Sequence, residues 1–217
     1  MPKQVLMIVT SYSSLGNTGK STGLYLSELA RPYQVLSSAG FKITVASPNG
    51  KDAPIDPKSL SEEFAPYAKL AKNTLSLKDV KVEDYDAYFV VGGHGVMWDL
   101  PDHAQLQRIL LAAYAQNKVI AAVCHGPAAL VRLKNPDGSF TIEGKQVTGF
   151  SNDEEEAVGL SQVMPFLLED GLKNAGGKFV KAPKWQANVV VDDRLVTGQN
   201  PASAKGVAEA IVKLLAA

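Results

Sequence analysis

With 217 residues and 46% hydrophobic content, the chain can bury a substantial core and suits one α/β domain. Its 22 basic side chains are balanced by 22 acidic ones, which argues against nucleic acid or an anionic membrane surface as a partner. One cysteine, Cys124, excludes an internal disulfide and points to a reducing, cytoplasmic setting. No apolar run approaches the roughly 18 residues of a spanning helix, and the run from Val5 to Val9 is too short for a signal-peptide core.

Residues 4–10 read as a nearly unbroken apolar strand, the kind covered on both faces of a sheet. A Ser/Gly/Asn-rich loop follows and contains Gly16-Asn17-Thr18-Gly19-Lys20-Ser21. Only two residues separate Gly16 from Gly19, where a phosphate-binding loop needs four before Gly-Lys-Ser, so phosphate is not expected here. Ser21 or Thr22 can cap a helix through Leu24, Leu26 and Leu29 to Ser38, closed by Gly40. Glu28 sits among those leucines. It is either a solvated helix charge, the usual fate of glutamate, or a carboxyl group aimed over the sheet edge.

Residues 42–47 form a second strand, ended by Pro48-Asn49-Gly50. Residues 51–85 are rich in Pro, Asp and Lys and read as a surface excursion with helical pieces near 59–64 and 66–71. The strand at 87–91 runs into Gly92-Gly93-His94-Gly95. Glycines there let backbone N–H groups turn toward an anion or oxyanion, although any tight turn asks for them too. Trp98 follows as pocket wall or core. By itself His94 reads as turn architecture, and His103 as a solvated residue of a helix over about 102–116.

Residues 119–127, Val-Ile-Ala-Ala-Val-Cys-His-Gly-Pro, are the most telling stretch. An apolar strand ends in Cys124 and His125, and the following proline suits the first turn of a helix. Such a turn holds a nucleophile strained and exposed, and the helix behind it predicts a thiol that ionises readily. The bland alternative is a cysteine serving as a small hydrophobe. Residues 140–150 read as a hairpin about Glu143-Gly144-Lys145. The run from Ser151 through Glu156 carries a capping signature for a helix extending to about Asn174, and helix-terminus charge accounts for most of its carboxylates. A short extended piece at 178–181, a hairpin of 188–191 with 194–197, and a last helix over 202–215 complete the chain.

Strands alternating with helices predict a three-layer α/β/α sandwich around a mostly parallel sheet, with functional groups at the strands' C-terminal ends. The Gly93 turn and Cys124 then share a crevice. No GxGxxG, no HExxH and no second cysteine occur, so neither a dinucleotide cofactor nor a metal is expected.

Several motifs together resemble the ThiJ/PfpI superfamily, and within it the heat-shock glyoxalase III branch. They are Thr22-Gly23 with Glu28 and Pro32, Asp84-Tyr85-Asp86-Ala87, Gly92-Gly93-His94-Gly95 with Trp98-Asp99, Ala-Ala-Val-Cys-His-Gly-Pro-Ala at 121–128, Ile142-Glu143-Gly144-Lys145, Thr148-Gly149-Phe150, and Thr197-Gly198 with Asn200-Pro201-Ala202. The resemblance spans the chain and implies a flavodoxin-like, class I glutamine amidotransferase-like fold. It implies Cys124 as nucleophile, His125 as base, Glu28 as the buried carboxyl beside the cysteine, and an acid behind the histidine. Spacing favours Glu155 for that acid, with Asp153, Glu154 and Glu156 as neighbours in the same run. By analogy the backbone near Gly93 and His125 supplies oxyanion donors, and His94, Trp98 and Trp185 line the pocket.

The activity implied is a cofactor-independent glyoxalase III, or a related deglycase, turning 2-oxoaldehydes such as methylglyoxal into 2-hydroxy acids such as lactate. The superfamily also contains cysteine peptidases and amidases, redox sensors and chaperones. A small closed pocket would disfavour the peptidase, and an open groove would favour it. The partner implied is a small aldehyde, with a homodimer common in the family.

Overall fold

In the computed structural model, which describes residues 2–216, fifteen strands and helices alternate much as the apolar pattern predicts. The elements are β1 (Gln4–Ile8), α1 (Leu26–Ser38), β2 (Lys42–Ser47), β3 (Leu75–Ser76), β4 (Ala87–Val90), α2 (Val96–Asp99), α3 (Ala104–Ala115) and β5 (Val119–Val123). They continue with β6 (Gln146–Val147), α4 (Asn152–Ala157), α5 (Leu168–Asn174), β7 (Lys178–Phe179), β8 (Val189–Asp192), β9 (Leu195–Gly198) and α6 (Ala204–Ala216). Seven strands form one sheet in the order β3-β2-β1-β4-β5-β9-β8, parallel except for β8.

From β1 the chain steps outward to β2 and β3, then returns to the other side for β4 and β5. Right-handed crossovers therefore put α1 and α3 on opposite faces, and the reversal between β1 and β4 opens a crevice at the strands' C-terminal ends. α6 packs beside α1. Coverage on both faces explains why β4 and β5 are buried at every residue and carry unbroken apolar runs instead of alternation. Among the described residues, no helix is long and apolar enough to cross a membrane.

Four local expectations are corrected. α1 begins at Leu26 and has no side-chain cap, because the Thr22 hydroxyl is committed to Asp56 and Leu24 is tied by backbone bonds to Pro54 and Asp56. The excursion at 51–85 returns to the sheet as β3, parallel to β2, and its helical pieces are 3-10 turns at Pro57–Ser59 and Ala65–Ala71. The hairpin expected at 140–150 is absent. β6 pairs in parallel with β7 from 32 residues downstream, as Gln146 opposite Lys178 shows, while Phe140 bridges Lys134. The long helix expected from Ser151 is two short ones, since Gly159 adopts φ 73° and Pro165 lies in the gap. The β8–β9 hairpin forms as expected, turning at Asp193.

Candidate active site

β5 delivers Cys124 in a left-handed conformation, φ 59°, which costs a non-glycine residue of order 1–3 kcal/mol. Flanking bonds hold the strain: Cys124 N–H donates to the Gly198 carbonyl, and its own carbonyl accepts from Phe150 N–H. Gly126–Leu130 behind it is a five-residue 3-10 turn rather than an α-helix, so the expected helix dipole is largely missing. Burial, together with the carboxylates of Glu28 and then Glu155, pushes the thiol well above its ordinary range. The expectation of a readily ionised thiol is thereby reversed for the isolated group.

The His125 ring is fully buried, with Nδ1 3.5 Å from Cys124 Sγ and Nε2 2.5 Å from Glu155 Oε2. The carboxylate can only accept, so Nε2 carries the proton and Nδ1 faces the sulfur with its lone pair. Burial pushes the imidazole pKa down, with Glu155 pulling the other way. Burial alone would raise Glu155, but the imidazoles of His125 and His94 hold it well below the usual carboxylate range.

Four adjacent carboxylates compete for the place behind His125, and their contacts separate them. Glu154 closes a capping box with Ser151 and accepts from Trp185 N–H and Asn200 Nδ2. Asp153 pairs with Lys181, and Glu156 is exposed. Only Glu155 turns inward to His125. α4 has to start at Ser151 to aim it there, and the capping box fixes that start.

His94 is more than turn architecture. Its Nε2 lies 2.7 Å from Glu155 Oε1, and its ring sits 4.2 Å from that of His125 between centroids. One carboxylate thus bonds two imidazoles, one through each oxygen. Ligand-type atoms of His94, His125 and Glu155 lie within 4.8 Å of one another. The 2.5 and 2.7 Å contacts are hydrogen-bond lengths, however, and leave no space for an ion between nitrogen and oxygen. The lone residues His94 and Glu155 gave no sign of this pairing; only the fold brings them together.

Glu28 reaches the cysteine from α1 and is fully buried. Neither of its oxygens has a partner in good hydrogen-bond geometry; the Cys124 thiol and Gly92 N–H are the polar groups that bear on it. Burial raises its pKa to about 8. A Cβ on Gly92 would lie 2.2 Å from Glu28 Oε2 and 2.9 Å from Cys124 Cβ, so the glycine is what admits the carboxyl group. Its neighbour Gly93 adopts φ 111° against the Gly23 carbonyl. The Gly93 and His125 N–H groups have no acceptor among the described residues, which leaves both free to receive an oxyanion.

A cavity of about 160 Å³ opens over Cys124, His125, His94 and Gly93. Phe150 and Trp185 form one wall, with the Phe150 ring 4.4 Å from His125 and 5.9 Å from Trp185 between centroids. Trp185 is half exposed at φ 68°. Trp98 is not in this wall; it stacks on Tyr12 at 5.4 Å, and its expected place lining the pocket is corrected. Tyr25 and Phe150 line the cavity without having been expected in its wall. Phe150 precedes the capping Ser151 directly, and that adjacency was the available signal.

The DJ-1/PfpI family profile matches residues 22–214. The chain belongs to the DJ-1/PfpI family. Glutathione-independent glyoxalase hsp3102 of Schizosaccharomyces pombe is 34% identical, covering 98% of this chain and 98% of its own length. Among solved structures, glyoxalase III from Candida albicans superposes with a TM-score of 0.90 at 30% identity, covering 98% of this chain and 97% of that one. Rapid Encystment Protein 24 kDa from Francisella tularensis does so with a TM-score of 0.94 at 44% identity, covering 98% and 99%. Within this family the flavodoxin-like α/β expectation holds for this chain, with helices on both faces of its sheet.

Proposed function

We propose that this chain is a glutathione-independent glyoxalase, a lyase-type enzyme that converts 2-oxoaldehydes such as methylglyoxal into 2-hydroxy acids such as lactate. The observation that carries the reading is the unbroken set Cys124–His125–Glu155, with Glu28 against the sulfur, at the floor of a cavity of about 160 Å³. Similarity to the named glyoxalases along the whole chain supports the same activity.

Glu28 and Cys124 press on one another, so their protons belong to the pair. With Glu28 protonated near neutral pH, the repulsion opposing the thiolate is removed. Cys124 adds to the aldehyde carbon as its thiol proton passes to Glu28 and the Glu28 proton passes to the new alkoxide oxygen, beside the Gly93 and His125 N–H groups. His125 Nδ1 takes the C1 proton and returns it to C2 through an enediolate, with Glu155 balancing the imidazolium. The aldehyde carbon is oxidised as the ketone carbon is reduced, leaving a thioester. Water, activated by His125, cleaves it to the hydroxy acid and frees the sulfur. One water is consumed, and no outside oxidant is required.

The small cavity and a Cys124 only 4% exposed weigh against the peptidase alternative, which needs room for a chain. We place the enzyme in the cytoplasm, where its free thiol stays reduced. The deciding experiment incubates pure protein with methylglyoxal, omits glutathione, and follows lactate in wild type, Cys124→Ala and Glu28→Ala. Lactate from wild type alone is the expected result; no difference from the variants would sink the reading.

A further inference from the structure

The glycine-rich loop that fails as a phosphate-binding motif nevertheless reaches the catalytic cavity. Lys20 and Ser21 stand at its mouth with Lys58. The loop is a closed turn, in which Leu15 N–H donates to the Lys20 carbonyl, Thr18 Oγ1 to the Leu15 carbonyl, and Lys20 N–H to Thr18 Oγ1. Lys58 opens a 3-10 turn, and its N–H donates to Asp56 Oδ1. Both lysines are therefore anchored at the backbone while their side chains are exposed. Neither ammonium joins an ion pair among the described residues.

The one acid on this side of the mouth is Asp56, and it is buried. Its two oxygens are taken by the Lys58 N–H and the Thr22 hydroxyl. The lining also has an apolar part, made by Phe150, Val158, Leu160 and Trp185. The cavity lining thus combines Cys124, two exposed lysines and an apolar wall. A triose aldehyde such as methylglyoxal carries no anionic group for either lysine to receive.

We propose that the preferred substrates are 2-oxoaldehydes whose far end carries an anionic group, a carboxylate or a phosphate ester, received by Lys20 and Lys58. This rests on the glyoxalase reading above and extends it to a substrate class. Two surface cations near an anion each contribute about a threefold preference in high dielectric, so the pair is worth about tenfold. Salt screens the effect over a Debye length of about 8–10 Å.

Two readouts test it in wild type, Lys20→Ala, Lys58→Ala and the double variant. The first compares kcat/KM for methylglyoxal, for 4,5-dioxopentanoate with its carboxylate tail, and for hydroxypyruvaldehyde phosphate. Wild type should favour the anionic tails about tenfold at low salt, and the double variant should lose that preference. The better of the two tails identifies carboxylate or phosphate as the group received. The second readout needs no turnover. Cys124 is the chain's single cysteine, so the ratio of its alkylation rates with iodoacetate and iodoacetamide reports the local bias toward anions. That ratio should fall several-fold in the double variant and in high salt. A ratio and a substrate preference both unmoved by the substitutions would overturn the proposal while methylglyoxal turnover leaves the glyoxalase reading standing. A fall in the ratio with no 2-oxoaldehyde turned over would overturn both the substrate class and the glyoxalase reading.

Discussion

Two buried carboxyl groups flank the Cys124–His125 pair, one from each half of the chain, and they are driven in opposite directions. Glu28, on α1, meets only a thiol and a backbone N–H, and burial lifts its pKa to about 8. Glu155, on α4, is nearly as buried, yet two imidazoles hold it ionised. The same side chain thus becomes a proton carrier on one side of the sulfur and a fixed negative charge on the other. Environment assigns the roles, and a pair of groups pushed apart in this way marks the acid and the base of a site.

The largest expected effect comes from neutralising the fixed charge. Glu155→Gln deprives His125 of its counter-charge and of the acceptor that sets its tautomer. By analogy with other nucleophile–base–acid sets, kcat/KM for methylglyoxal should fall by about 10³, read from lactate formation. A loss under tenfold would show that Glu155 is not the partner of the base.

Next is the proton carrier. Wild-type kcat/KM should decline above about pH 8, as Glu28 loses its proton and its charge opposes the Cys124 thiolate. Glu28→Gln should remove that limb and lower the plateau by about 10²-fold. A pH profile unchanged in the variant would assign the limb to another group.

The same contrast has a sign in stability. The folded pKa of Glu28 lies above its model value of 4.5, so its favourable contribution is complete below about pH 4.5 and is lost as pH rises through about 8. Relative to wild type, Glu28→Gln should therefore gain stability between pH 5 and pH 9, on the order of 4 kcal/mol by denaturant midpoint. Glu155→Gln should give no such alkaline gain.

His94→Gln tests the second imidazole. It keeps a donor for Glu155 Oε1 but loses the ring against His125, and about a tenfold fall in kcat is expected. The smallest effect belongs to Trp98→Phe, which keeps an aromatic ring against Tyr12 away from the cavity. Its kcat/KM should stay within about twofold of wild type.

Much of this was legible before folding. The nearly unbroken apolar run of β1 declared a strand covered on both faces, and the Cys-His-Gly-Pro turn at the end of β5 drew attention to Cys124. The capping signature at Ser151 marked where α4 starts. Less legible were the long-range pairings. Nothing near Gln146 indicates a parallel partner at Lys178, because strand patterns specify alternation and burial but not which distant strand answers. A capping signature marks where a helix starts but not where it ends, and Gly159 and Pro165 divide the segment that follows.

The sequence by itself determined the fold class and the Cys124–His125 turn on which the proposed chemistry rests, because apolar periodicity and turn chemistry act over a few neighbouring residues. Tertiary structure alone decided what those groups become. It buried Glu28 against the sulfur, chose Glu155 from four adjacent carboxylates, and bound His94 to the same carboxylate. It also moved Trp98 out of the cavity and Lys20 to its mouth. The physical reason is that protonation, desolvation and charge pairing depend on neighbours within a few ångströms, and for Glu28, Glu155 and His94 those neighbours lie 30 to 96 positions away along the chain.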